Sequence, residues 1–516
     1  MCASAVGYRV CNANRCRFRM TEARQNFPLL PLGIARTVGK ALLLIIGTVP
    51  VSLAPRSWSQ DAPATRNSPW HSTQEGSVEK EAQRVLPTEF AVDPTAIDSL
   101  PALINLAEAH NPETQLAWER ARAHAEALGV ARSELYPTLA AIALSQTSRE
   151  QAYLSTRYFR QTAQSFDVAL DLNYMILDFG GRSGRIDAAK AKLLAADFAF
   201  NDVHRRLIYQ VESAYYQLLN AVGQEAAARA NLDNAQTVLQ AAEASLKNGL
   251  ATLPDVLEAR SAAARAQYDL QAALGVEDIA RGNLATALGA SPLHPIPVQP
   301  IDQVSIPDSM EISVDQAVDR ALQQRPDLME RVAAIRSANA QLKEAESAYF
   351  PVLRTHIYPD PQSLYAMQQQ MPWGHTAGLQ GEITFSLDWT IFDGGSRKHR
   401  AAEAKDYARA AEAQAAATRD EIENEVWAAY SNLKTAFRQR EAAIALLQAA
   451  DQSYNSALES YHYGVRNLLD VTVAQRTLAQ ARSTDVLART QVLTALAAMA
   501  FQTGDAIQTA PTRPKP

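Results

Sequence analysis

The side chains that most often carry catalysis are dispersed in this 516-residue sequence. Its nine histidines form no His-x-x-x-His or similar pair with ligand spacing, and no Gly-x-x-x-x-Gly-Lys run could cradle a phosphate. Gly180-Gly181-Arg182-Ser183-Gly184 has the wrong spacing for a Gly-x-Ser-x-Gly nucleophile turn. Cys2, Cys11 and Cys16 all lie in the first 16 residues, so nothing downstream can form a disulfide, a thiolate metal site or a cysteine nucleophile. These residues predict no enzyme, no cofactor and no bound metal. What remains are carboxylates beside glycine turns. Asp255 follows Asn248-Gly249-Leu250 and Asp470 follows Tyr463-Gly464-Val465, each at the start of a returning helix, where a carboxylate meets the positive end of the helix dipole.

The elements that must position such groups begin with composition. Hydrophobic residues make up 47% of the chain, which excludes wholesale disorder. A net charge of −6 without a concentrated basic face argues against a nucleic-acid partner. Residues 1–40 carry seven Lys or Arg against one acid, Glu22, and lead into the apolar run Ala41 to Val49, which Pro50 interrupts. The run is too short to span a bilayer, and the order basic, apolar, small fits a signal peptide cut near Ser59-Gln60. Losing residues 1–59, with eight basic residues and one acid, would take the charge from −6 to −13. Residues 60–95 have no periodicity and read as a flexible lead-in.

The strongest signal is a duplication. Asn111-Pro112 recurs as Arg325-Pro326, Tyr136-Pro137 as Phe350-Pro351 and Gly180-Gly181 as Gly394-Gly395, each at a spacing of 214. Gly249, Leu253, Asp255-Val256 and Gly289 recur as Gly464, Leu468, Asp470-Val471 and Gly504 at a spacing of 215. The boundaries read as a first repeat at 96–290, a Pro-rich linker at 291–309, a second repeat at 310–504 and a disordered tail at 505–516. Each repeat opens with a helix that has proline in its first turn, then a short strand-like segment and a polar loop. A strictly alternating stretch follows. Val168, Leu170, Leu172, Tyr174 and Ile176 share one face opposite Asp167, Ala169, Asp171, Asn173 and Met175. In the second repeat Ile383, Phe385, Leu387, Trp389 and Ile391 lie opposite Glu382, Thr384, Ser386, Asp388 and Thr390.

After each double glycine the chain turns helical for roughly 100 Å, from Arg182 to Asn248 and from Arg397 to Tyr463, with a coiled-coil seam through Leu207, Val211, Ala214 and Leu218. Each long helix ends at a glycine turn, and a second helix returns. Four strands cannot close a membrane barrel, since small barrels need about eight, so the chain must oligomerise or use its strands otherwise. The fold class predicted is mainly α with a membrane β-barrel part, each repeat being a helix, a strand pair and a long helical hairpin. A soluble coiled-coil scaffold with β caps is the alternative.

These residues resemble the TolC family of outer-membrane efflux ducts. The resemblance rests on the tandem repeat, Arg325-Pro326-Asp327-Leu328, the Tyr136-Pro137-Thr138-Leu139 and Phe350-Pro351-Val352-Leu353 junctions, Ile391-Phe392-Asp393-Gly394-Gly395 and Gly464-Val465-Arg466-Asn467-Leu468-Leu469-Asp470-Val471. It covers about residues 95–504 and implies a homotrimer with a twelve-stranded β-barrel in outer-membrane lipid, continued by a periplasmic α-barrel. Its implied partners are a periplasmic adaptor (membrane fusion) protein and an inner-membrane pump. It also implies a periplasmic gate in which Asp255 faces Tyr461 and Arg466 while Asp470 points into the narrowed lumen. The family's second aspartate is Val473 here, so Glu258 is the possible second acidic position. Gly249-Leu250 and Gly464-Val465 are the implied adaptor-contact turns, and the apolar strand faces meet lipid. The cargo stays open between small molecules and secreted polypeptides.

Overall fold

The computed structural model describes residues 75–85, 99–154, 157–292, 304–307, 313–368 and 372–505. The expected signal peptide, most of the linker and the tail beyond residue 505 lie outside the described residues. The chain divides into a unit ending at Pro87 and a unit from Thr88 onward. The first contributes one described helix, α1 (Glu75–Val85). Within the lead-in expected to be flexible, residues 75–85 are helical: Glu79, Lys80, Glu81, Ala82 and Gln83 are good helix formers, and Glu75 lies in the first turn.

The second unit repeats one order of elements. The first copy runs α2 (Leu100–His110), α3 (Pro112–Ser133), β1 (Thr138–Leu154), β2 (Arg157–Leu177), α4 (Gly181–Lys247) and α5 (Leu253–Ala287). The second runs α6 (Val314–Gln324), α7 (Pro326–Ser347), β3 (Val352–Gln368), β4 (Gly374–Asp388), α8 (Ser396–His462) and α9 (Leu468–Thr503). Both long helices, α4 and α8, have 67 residues, which at the helical rise is about 100 Å each. No described helix is long and apolar enough to cross a membrane.

The joint between the two opening helices shows how one position is used twice. Asn111 ends α2 by donating its N–H to Ala107 O and starts α3 by accepting the Glu113 N–H at 2.8 Å, with Pro112 in the first turn. Arg325 occupies the same joint in the second repeat but turns inward. Its buried guanidinium holds Asp327 and Glu425, each at 2.6 Å, and donates to Gln502 at 2.8 Å. Arg205 is also buried, pairs with Asp202 at 2.7 Å, reaches Asp327 at 3.6 Å and donates to Phe501 O. These ions tie α4, α7, α8 and α9 together.

All four strands form one antiparallel sheet in the order β1-β2-β3-β4. They have 17, 21, 17 and 15 residues; β1 and β2 are longer than the alternating stretches predict, because the polar stretches 145–154 and 157–165 are held by ladder pairing rather than by a buried face. β4 ends at Asp388, so Trp389 and Ile391, predicted as strand residues, lie beyond it; Trp389 instead donates Nε1–H to Tyr349 O at 3.1 Å. Register puts Leu172, Ile357 and Ile383 in one row, and Tyr174, Thr355 and Phe385 in the next. Val168, Leu170, Ile176, Ile383, Phe385 and Leu387 are exposed, while Leu172 and Tyr174 are half-buried. The opposite face carries Asp167, Asp171, Glu382 and Thr384.

Candidate functional site

The sheet is joined to the long helices by matched carboxylate–arginine clamps. Asp178 accepts the Arg182 N–H, and the Arg182 guanidinium donates to Glu134 O at 3.0 Å and Met175 O at 2.9 Å. Asp393 accepts from Gly395 N–H, Arg397 N–H and Arg397 Nε, while Arg397 also reaches Ile391 O. Each clamp fixes the direction in which a helix leaves its strand. Gly184 lets α4 approach α7 so closely that an added Cβ would lie 2.8 Å from Glu344 N and 2.9 Å from Ala340 O. Spacing alone identified the double glycines but not these clamps, since the Arg182 guanidinium finds its acceptors at the end of α3 and in β2.

At the far end of the helices both turns are built alike. Gly249 and Gly464 have φ of +72°, the left-handed conformation that ends a helix. Leu250 N–H returns to Ser245 O at 2.8 Å and Val465 N–H to Ser460 O at 2.9 Å, with Gly249 and Gly464 donating to Leu246 O and Tyr461 O. No atom crowds either glycine, so the turn requires its backbone freedom rather than its small size. Leu250 is 83% and Val465 77% exposed, and Leu253, Leu257, Leu469 and Val473 are exposed as well. This apolar end was not read from the sequence, where Val473 registered only as a missing acid.

The two returning helices are capped differently. Asp255 forms a capping box: its Oδ2 accepts the Thr252 N–H at 2.8 Å and the Thr252 hydroxyl at 2.7 Å. Those two bonds hold its carboxyl below the usual range. In α9 the capping acceptor is Asn467 Oδ1, which takes the Asp470 N–H at 3.0 Å and leaves the Asp470 carboxylate exposed. Within one chain the Asp255 carboxylate is thus held by Thr252. The reason is local: Thr252 supplies donors without a chain crossing, and Pro254 sits in the first turn. The Tyr461 ring packs against the cluster of Val238, Val256, Tyr454 and Val471, and its hydroxyl is buried without a partner. Arg466 is exposed, and Glu258 lies 3.9 Å from Arg476 across to α9.

The arrangement is built of long, solvent-facing surfaces. Its parts are a sheet with one exposed apolar face, clamped to helices about 100 Å long that end in an apolar, acid-bearing tip. The family model described as outer membrane efflux protein matches residues 103–290 and 317–505. Protein CyaE of Bordetella pertussis is 28% identical over 409 residues, covering 78% of this chain and 83% of CyaE. The pyoverdine export outer membrane protein OpmQ of Pseudomonas putida is 27% identical over 343 residues, covering 64% of this chain and 68% of OpmQ. The solved outer-membrane channel OprN superposes with a TM-score of 0.70 at 22% identity, over 80% of this chain and 90% of OprN. With both repeats matched and the fold shared, this chain belongs to the outer membrane efflux protein family, whose members are channels of the outer membrane rather than enzymes.

Proposed function

We propose that three copies of this chain close their sheets into one twelve-stranded barrel, continued by a helical tube, and act as a passive duct for efflux of small molecules. One observation carries this reading: the sheet has two edge strands, β1 and β4, unpaired within the chain, and a face of exposed large apolar side chains. An exposed edge is stable only when paired, and lipid accepts an apolar face only where every backbone group is bonded, so closure with neighbours meets both demands. No chemistry for coupling to an energy source is found in the described part, and the duct is opened by a periplasmic adaptor and an inner-membrane pump. The exposed Leu250 and Val465 turns are the surface offered to the adaptor.

The gate is assigned to contacts between neighbouring chains. The exposed Arg466 side chain has no acceptor inside the protomer, which supports its use across an interface, and nearby Tyr461 carries a hydroxyl without a partner. Asp470, repeated three times about the axis, favours cations. The test is conductance in a planar bilayer. Small cation-selective openings are expected from the purified protein, larger ones from Tyr461→Phe with Arg466→Ser, and reduced cation selectivity from Asp470→Ala. Protein that stays soluble without detergent and forms no channels would sink the reading.

A further inference from the structure

A groove between α3, α4 and α7 gathers positive charge that neither the gate nor the strand junctions use. Arg185, near the start of α4, meets Glu134 just past the end of α3 at 2.6 Å, and His204, further along α4, meets Glu108, just before α3 begins, at 3.0 Å. α3 and α4 therefore run antiparallel. α7 is antiparallel to α4 as well, since Arg185 lies 3.5 Å from Glu344 and Arg205 lies 3.6 Å from Asp327. Between the three helices lies a groove of about 500 Å³, within the range of about 300–1,000 Å³ usual for small-molecule sites. Its floor is small and apolar. Ala195, Ala199 and Val203 follow one stripe of α4, with Phe200 beside them and Ala334 and Ala338 facing them from α7.

Charge on this lining is segregated. Arg120 and His124, one turn apart on α3, share it with Lys192 of α4, and among the described residues none of the three side chains has an ion pair or hydrogen bond. His124 and Lys192 also line the adjoining cavity together with Arg185 and Gln341, so they mark the end of the groove nearer the strands. At the other end Arg206 is already paired with Asp202 at 3.0 Å. Glu330, the only acid on the lining, lies at that end too, and burial pushes its carboxyl up. A cleft with bases of one sign over an apolar floor concentrates anions, and unpaired bases offer them charge-assisted hydrogen bonds. We propose that this groove binds one anionic amphiphile per chain, its acidic head between Arg120, His124 and Lys192 and its apolar body on the alanine floor toward Phe200 and Val203. A cation of the same shape meets repulsion at the head position. The site stands on the groove alone and requires neither closure of the sheets nor the gate.

Equilibrium dialysis of naphthalene sulfonate against the detergent-purified full chain tests this, with a detergent blank subtracted and naphthylmethylammonium as the cation of matched shape. The wild type is expected to take up the sulfonate saturably, one per chain, and to bind the cation at least about tenfold more weakly. Arg120→Gln with Lys192→Gln should weaken sulfonate binding at least about tenfold, because both lost partners are charged donors. Lys192→Arg, which keeps the charge, should retain the binding. If circular dichroism shows the neutralised pair misfolded, Lys192→Gln alone is read against Lys192→Arg. Equal uptake of anion and cation, equal affinity in wild type and neutralised protein, or no saturable uptake beyond the blank overturns the site.

Discussion

At the scale of single residues, the buried ions carry the sharpest expectations. Arg325 holds Asp327, Glu425 and Gln502 from a buried position, with geometry that suits a guanidinium fork. Burial alone would raise the Asp327 carboxyl, but the Arg325 hydrogen bonds and charge outweigh it and hold the group below its usual range. Replacing Arg325 with Met leaves Glu425 unpaired and Asp327 with only Arg205 at 3.6 Å, and should cost about 3–5 kcal/mol in chemical denaturation, with Lys recovering little of it. Glu212 is the opposite case. Burial on α4 pushes its carboxyl up from 4.5 to about 7. The folded state then binds more protons than the unfolded one across that interval, so stability is greatest below it and falls as pH rises through it. The melting temperature should be higher at pH 5 than at pH 8, and Glu212→Gln should reduce that difference. A Glu212→Gln protein with an unchanged difference would remove this residue as the cause.

Among the elements, close approach between helices is the quantity to perturb. Gly184 brings the α4 backbone against α7 near the strand junction, where the neighbouring atoms are backbone and cannot swing aside. Gly184→Val should cost about 1–3 kcal/mol, the range for overpacking a fitted contact. Gly249→Val, in open space, should act only through its backbone conformation, so melting of the pair separates the two uses of glycine. The contrast shows what the sequence made legible. Strand alternation, double glycines and the two turn glycines announce elements because each is a local constraint. The Arg205 bond to Phe501 O spans 296 residues, and the Arg182 clamp collects acceptors from α3's end and from β2, so neither has a local signature. The extra length of β1 and β2 was hidden for a related reason. Ser, Gln, Thr and Arg between 145 and 165 show no period, and only pairing with a partner strand makes them extended. The gate residues were read by type, and within one chain the Asp255 carboxylate bonds to its near neighbour Thr252.

For the whole molecule, the two faces of the sheet make opposite demands on the same strand. Phe385 and Thr384 are adjacent in β4, yet Phe385 shares its row with Thr355 and Tyr174 on the apolar face, while Thr384 lies opposite His356 on the polar one. In the proposed barrel a lysine at Phe385 would carry its charge into lipid and should destabilise the inserted state by about 2–4 kcal/mol if the row lies near the bilayer midplane. In the proposed barrel the same lysine at Thr384 would enter the lumen and keep assembly intact, while its positive charge lowers cation selectivity. Trimer recovered from outer membranes measures the first effect, and reversal potential in a salt gradient measures the second. Equal loss of trimer from both variants would mean that the sheet does not separate lipid from lumen. Selective loss at Phe385 with altered selectivity at Thr384 would require the closed, two-faced barrel, because an isolated four-stranded sheet gives neither residue a distinct solvent.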